Sequence, residues 1–380
     1  MAGAGNMNFF KSAKLHSIQR WTKIAVVNLL VLLSLLIVAE IALRSIWTVR
    51  SCIKFECDLS RITGLKIQDL GRATYIGISR FDELLGYVPR EGFSGTINAP
   101  GWISWINAKV TIRKDGFRSN GSEVAPPLAD VLAVGDSFTF GDQVSDNETW
   151  PACLERKLGR GVDNGGVFAY GAAQALRRAS LKVAKKNYSA LVLSILVGNG
   201  FTRDRYSYYF GFPKPALIHT KNGIAWSTVP DPNVPGTKYN PSHKFLSLAY
   251  ERSELFAAMV DRFFPGYIND IIGGDRLETV HPNAANENEI VDWTLRTFSG
   301  FKIKNKILLL QYQSPDTTNV VEERNLIRRI ANELSLKVVD TSTVLKNSKE
   351  SKLWYNGFGN HHTPLGNEIV CSYLLEQGFR

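Results

Sequence analysis

The 380-residue chain is 44% hydrophobic and 21% charged, with 31 glycines, 15 prolines and four cysteines. That profile excludes a disordered, collagen-like or low-complexity chain, and four cysteines are too few for a disulfide-stapled scaffold. The formal charge is +10, of which residues 1–60, with seven basic and three acidic residues, hold +4. The remainder is thinly spread, and no Lys/Arg-rich run is interleaved with aromatics, which argues against a nucleic-acid partner.

After a short tail over residues 1–23, Ile24 to Ala39 contains no charge. The stretch 24–43 has 20 residues, enough to cross a bilayer core of about 30 Å as a helix. Glu40 and Arg44 stand four apart and can pair at the interface. Trp21 and Trp47 bracket the span as interfacial aromatics. No small-x-small cleavage site follows, and Cys52 lies in no lipobox-like context, so the segment reads as an uncleaved anchor. Lys11, Lys14, Arg20 and Lys23 precede the span, and Arg44, Arg50, Lys54 and Arg61 follow it, close to a tie in the positive-inside count. Cys52 and Cys57 are either free thiols or a pair formed in an oxidising compartment. The expected location is a single-pass inner-membrane protein with its body on the periplasmic or extracellular side.

Residues 44–128 read as an irregular, Gly-dotted accessory segment with short β-like stretches such as Lys109–Arg113, closed by Ala125-Pro126-Pro127. From 129 onward the rhythm changes. Val131–Val134, Ala190–Val197, Lys306–Gln311 and Leu336–Asp340 are apolar runs of the kind that form buried parallel strands. Helical spacing over Trp150–Leu158, Ala173–Lys186, Val320–Leu334 and Gly366–Gln377 separates them. Alternating strands and helices predict an α/β fold over 129–380, with chemistry at the carboxyl ends of the strands. Residues 201–250 break that rhythm with Tyr, Phe, Pro and Gly, as in Tyr206-Ser207-Tyr208-Tyr209-Phe210-Gly211. They read as an aromatic lid or substrate wall, or as plain packing.

Four short motifs carry candidate chemistry. Gly135-Asp136-Ser137 follows the first strand and exposes a serine whose own N–H can face an oxyanion. Asn164-Gly165-Gly166-Val167-Phe168-Ala169-Tyr170-Gly171 offers backbone N–H groups with little side-chain obstruction. Gly198-Asn199-Gly200 ends the third strand with an amide donor. His361-His362-Thr363-Pro364-Leu365-Gly366 opens the last helix with candidate general bases. No third ligand of suitable spacing joins the two histidines, so a metal pair is unsupported.

In this order the motifs resemble the SGNH (GDSL-type) hydrolase superfamily over about residues 129–380. Phe81-Asp82-Glu83-Leu84-Leu85-Gly86-Tyr87 and Asp115-Gly116-Phe117-Arg118 sit where its membrane-anchored members carry comparable strings. The resemblance implies a flavodoxin-like three-layer α/β/α sandwich with a mainly parallel five-stranded sheet. It also implies a serine nucleophile acting on esters without metal or organic cofactor. By position, Ser137 is the nucleophile and Asn199 the side-chain oxyanion donor. His361, five residues before Gly366, is the base. Ala169 takes the place of the family's oxyanion glycine, with Gly166 as the fallback. The Asp that the family carries shortly before the His is replaced here by Gly359 and Phe358, and the Asp after the Asn by Gly200. A Ser-His dyad oriented by Asn356, Asn360 or a backbone carbonyl is the expectation. The implied activity is a membrane-anchored esterase, with O-acyl groups on carbohydrate as candidate substrate. The alternatives are an O-acyltransferase acting on a cell-envelope polysaccharide and a non-catalytic binding module. In such a sandwich Cys153 and Cys371 share one sheet face, where two buried, unpaired thiols are expected.

Overall fold

The computed structural model describes residues 5–54, 78–99, 106–122, 130–234, 237, 244–264, 278–313, 320–345, 353–354 and 361–379. Its two compact units comprise residues 1–67 with 253–259, and residues 68–252 with 260–380. In the first unit, helix α1 runs over Gly5–Lys54, and its stretch Trp21–Ile46 is long and apolar enough to cross a membrane. Arg44 pairs with Glu40 one turn away. The other carboxylate oxygen of Glu40 accepts from Ser253 Oγ at 3.0 Å and from the Leu255 N–H at 2.8 Å.

The second unit opens with two antiparallel hairpins, β1 (Ser79–Asp82) with β2 (Gly86–Pro89) and β3 (Ser94–Ala99) with β4 (Ile106–Thr111). The layered body then follows: β5 (Val131–Val134), α2 (Ser137–Phe140), α3 (Trp150–Leu158), β6 (Val162–Asn164), α4 (Ala172–Val183) and β7 (Ala190–Leu196). Part of the aromatic stretch is β structure. It forms strands β8 (Tyr206–Tyr209) and β9 (Phe212–Pro213), then a hairpin of β10 (Leu217–Thr220) and β11 (Gly223–Trp226). Helix α5 (Lys244–Arg252) comes next, then α6 (Glu254–Phe263), whose residues 254–259 belong to the first unit, and β12 (Thr279–Val280), which pairs with β8. The chain finishes with α7 (Glu287–Ser299), β13 (Asn305–Gln311), α8 (Val320–Glu333), β14 (Lys337–Asp340), α9 (Ser342–Leu345) and α10 (Pro364–Glu376).

The main sheet has the order β14-β13-β7-β5-β6, and every pairing in it is parallel. This is a doubly wound order whose direction reverses between β5 and β7, the place where such sheets open a crevice at their carboxyl ends. Side chains alternate faithfully along each strand. Leu132, Val134, Leu191, Leu193, Leu308 and Leu310 face one core with Leu176, Leu295 and Ile327 from α4, α7 and α8. Val131, Ala133, Ala190, Val192, Ile307 and Leu309 face the other with Trp150, Leu154, Val370 and Leu374 from α3 and α10. Two covered faces explain why these strands are apolar throughout.

Cys153 on α3 and Cys371 on α10 meet on that second face and form a disulfide, with Cα atoms 6.1 Å apart, instead of remaining free thiols. Cys57 lies outside the described residues, as does the side chain of Cys52.

Candidate active site

Ser137 begins α2 three residues after β5 ends. Asp136 caps the turn, its carboxylate accepting from the Phe138 N–H at 3.0 Å, and Gly141 closes it in the left-handed region at φ 88°. Gly135 is required by space, since a Cβ there would stand 2.4 Å from Thr139 Oγ1 and 2.8 Å from the Ser194 carbonyl oxygen. At the start of α10, Thr363 caps the helix by accepting from the Gly366 N–H at 3.2 Å. A Cβ on Gly366 would stand 2.4 Å from the Leu353 carbonyl oxygen. The five-residue spacing from His361 to Gly366 therefore has a packing cause: the helix start must press against Leu353.

These two turns bring Ser137 Oγ within 2.8 Å of His361 Nε2. The other ring nitrogen, Nδ1, lies 3.0 Å from Gln143 Oε1. A carboxamide oxygen only accepts, so Nδ1 carries the hydrogen and Nε2 keeps a lone pair directed at the serine hydroxyl. Gln143 is the residue against which His361 is oriented. Asn356 and Asn360, expected in that role, lie outside the described residues, with Phe358 and Gly359. Gln143 adopts φ 71°, a conformation that costs an L-residue roughly 1–2 kcal/mol. No spacing rule signals it, because the partner is 218 residues away.

Burial pushes His361 down to about 3, with the nearby Arg203 charge and His362 adding to the effect. The imidazole is thus neutral and able to accept a proton. His362 is also buried and held down to about 3, chiefly by burial. It packs edge-on against Phe138 with centroids 4.9 Å apart, which is a core position. Behind Ser137, Arg203 Nη1 donates to Asp136 Oδ2 at 2.8 Å and to the Tyr170 carbonyl at 3.3 Å. Burial raises the Asp136 carboxyl while Arg203 pulls it back.

The glycine-rich segment is stitched beside the serine, with the Val167 N–H donating to the Gly135 carbonyl at 3.1 Å. Ala169 follows at φ 58°, the left-handed conformation that suits a glycine. Tyr87 Oη donates to the Phe168 carbonyl at 2.8 Å. A trans peptide is planar, so pinning that carbonyl fixes the Ala169 N–H in the opposite direction. Gly166 is unsuited to the fallback role. Its N–H already donates to Asn164 Oδ1 at 3.1 Å, and a Cβ there would reach 2.2 Å from the Phe140 nitrogen.

Asn199 stands exposed beyond β7, and its amide donates to Gln313 Oε1 at 3.4 Å. Gln313 follows β13, which lies on the opposite side of β7 from β5. The amide is therefore turned away from the serine strand. Among the described residues, no group of three or more His, Cys, Asp and Glu could hold a metal ion.

The two motifs ahead of the sheet also reach the turns around Ser137. Arg118 is completely buried and donates to the carbonyls of Phe140, Gly141 and Val144, which flank Asp142 and Gln143. Tyr87 and Tyr170 are locked together, the Tyr170 hydroxyl donating to the Tyr87 carbonyl, with rings edge-on at 5.2 Å.

No family model and no curated protein matches this sequence. Among solved structures the chain is similar to a protein from Desulfitobacterium hafniense assigned to the G-D-S-L lipolytic family. The identity is 17% and the TM-score 0.32, over 65% of this chain and 98% of that one. It is also similar to the acetylxylan esterase Axe2 from Geobacillus stearothermophilus, at 14% identity and TM-score 0.34, over 66% and 94% of the two chains. A lipase/acylhydrolase from Enterococcus faecalis shares 12% identity at TM-score 0.38, over 66% and 95%.

Proposed function

We propose that the chain is a membrane-anchored serine esterase. The observation that carries this reading is the 2.8 Å contact between Ser137 Oγ and a neutral, tautomer-fixed His361 at the sheet's switch point. Ser137 Oγ attacks the acyl carbonyl while its proton passes to His361 Nε2. The Ser137 and Ala169 N–H groups face the oxyanion, and the alcohol leaves with the proton from Nε2. Water then repeats the sequence on the acyl-serine to release the acid. Asn199 joins only by turning its amide away from Gln313.

Tyr206, Tyr209 and Phe210 form a half-buried aromatic cluster in the 201–250 insertion, with ring centroids 5.0 and 4.4 Å apart. Arg203, whose guanidinium is 5.8 Å from the Tyr209 ring, ties this cluster to Asp136 beside the nucleophile. Such a surface suits a sugar ring, so an O-acylated carbohydrate is the proposed substrate class. The Cys153–Cys371 bond favours an oxidising compartment, which supports a catalytic body over 129–380 exported beyond the anchor at 24–43.

The test uses the full chain in detergent as wild type, Ser137→Ala and His361→Ala, with fluorophosphonate labelling and aryl-acetate hydrolysis. Wild type labels and turns over, Ser137→Ala does neither, and His361→Ala loses at least about 10³-fold in kcat. Folded wild type that neither labels nor hydrolyses refutes the reading.

A further inference from the structure

In a Ser-His-Asp site one carboxylate does two jobs: it fixes the imidazole tautomer, and it stabilises the imidazolium that forms during attack. Gln143 can do only the first, because a carboxamide carries no charge. The residue before it, Asp142, is buried and places Oδ2 3.9 Å from His361 Nε2, on the serine side of the ring. Gly141 at φ 88° and Gln143 at φ 71° bracket Asp142 with two left-handed residues. That backbone brings two consecutive side chains, which would diverge along a regular segment, onto one ring. Strained non-glycine backbone of this kind persists where the surroundings hold it in place, and here Arg118 grips the carbonyls on both sides.

Resting on the esterase reading above, we propose that Gln143 orients His361 and Asp142 compensates its charge, so that two adjacent positioning residues divide the work of one aspartate. When the Oγ–H bond breaks, the proton moves to Nε2, the Oγ electron pair forms the bond to the acyl carbon, and the carbonyl pair becomes the oxyanion. The ring then carries a positive charge. Arg203 faces it and acts against that charge, while itself paired to Asp136; His362, held down to about 3 by burial, stays neutral beside it. Asp142 faces the ring in turn, with the Arg118 charge in range on its other side. Two unit charges about 4 Å apart in a partly buried site interact strongly enough to change a rate by on the order of 10²–10³-fold.

Three full-chain variants test the division: Asp142→Asn, Gln143→Glu and the double variant. Asp142→Asn lowers kcat/KM on the order of 10²–10³-fold while leaving the melting temperature near wild type. Gln143→Glu puts a carboxylate on Nδ1 and moves the acid limb of the kcat/KM profile up by roughly one to three pH units. The double variant recovers at least about ten-fold over Asp142→Asn, because one carboxylate now does both jobs. A merely structural role for Asp142 would not give the rescue, because a carboxylate at 143 repairs charge and not packing. The proposal is overturned if Asp142→Asn stays within threefold of wild type, if the Gln143→Glu limb does not move, or if the double variant is no better than Asp142→Asn. Should Asp142→Asn fail to fold, Asp142→Ser and Asp142→Glu are compared in its place, and a folded Asp142→Ser within threefold of Asp142→Glu in kcat/KM overturns the charge role. Wild type that neither labels nor turns over ends both readings. Active wild type with variants that behave otherwise ends only this one.

Discussion

Replacing Arg118 with methionine keeps a long side chain in the buried slot and removes the guanidinium. Nη1 then no longer reaches the Phe140 and Gly141 carbonyls, at 2.6 and 2.5 Å, nor Nη2 the Val144 carbonyl at 2.6 Å. Asp146, whose Oδ1 lies 3.2 Å from Arg118 Nε, would keep the Thr111 N–H at 3.0 Å but lose its buried countercharge. Breaking a buried pair from one side destabilises by about 3–5 kcal/mol. For a body of this size that lowers the melting temperature on the order of 10 °C. The freed turn carries Gln143, and a displacement of about 1 Å in a positioning group can slow turnover about 10²-fold. Differential scanning fluorimetry and aryl-acetate kinetics at 15 °C, where the variant remains folded, read the two effects separately. Arg118→Lys falls between, since an ammonium matches Asp146 but cannot span three carbonyls. Arg118→Met with a melting temperature within 2–4 °C of wild type, roughly a 1 kcal/mol change, and unaltered kcat would refute the clamp.

His361 and His362 are both held near 3 by burial, whereas an unfolded histidine titrates at about 6.5. Between those values the unfolded chain binds more protons, so these two residues contribute their full stability above about pH 6.5 and lose it as pH falls toward 3. The slope approaches 2.7 kcal/mol per pH unit for two protons; urea midpoints at pH 7, 6 and 5 should decline, and a flat series contradicts the burial. Reducing Cys153–Cys371, which closes a separation of 218 residues, removes about 5 kcal/mol by the chain-entropy estimate. Thermal melts with and without reductant should differ by on the order of 10 °C, and coincident melts would show that the bond is not formed in solution.

Much of the sheet is readable from sequence because burial on both faces leaves β5, β7, β13 and β14 apolar. The fifth strand, β6, is not: it is Val162-Asp163-Asn164, and its buried Asp163 is held by Arg113, Lys186 and Tyr188. The two cations and the phenol that satisfy it come from two other segments, around 113 and 186–188, so no local pattern announces a strand. The Tyr- and Gly-rich stretch after Phe201 reads as loop because its strands are short and half-buried. At the site, Ser137 and His361 are legible through their motifs, whereas Gln143 depends on a backbone turn at positive φ. Asn199 shows the limit from the other side. Its place at a strand end is a matter of topology, but the direction of its amide depends on Gln313, far along the chain. The sharing of one face by Cys153 and Cys371 follows from the fold class, while their bonding requires a Cα separation that only packing sets.

The disulfide also changes the covalent path between Ser137 and His361. Along the backbone, Ser137 and His361 are 224 residues apart. Through the sulfur bridge the route runs 16 residues forward to Cys153 and then 10 back from Cys371. Loop-closure entropy grows with the logarithm of contour length, so joining the pair in an oxidised but unfolded chain is easier by roughly 2 kcal/mol. The same shortcut means that a protease cut anywhere between Cys153 and His361 leaves the two groups on one covalently connected molecule.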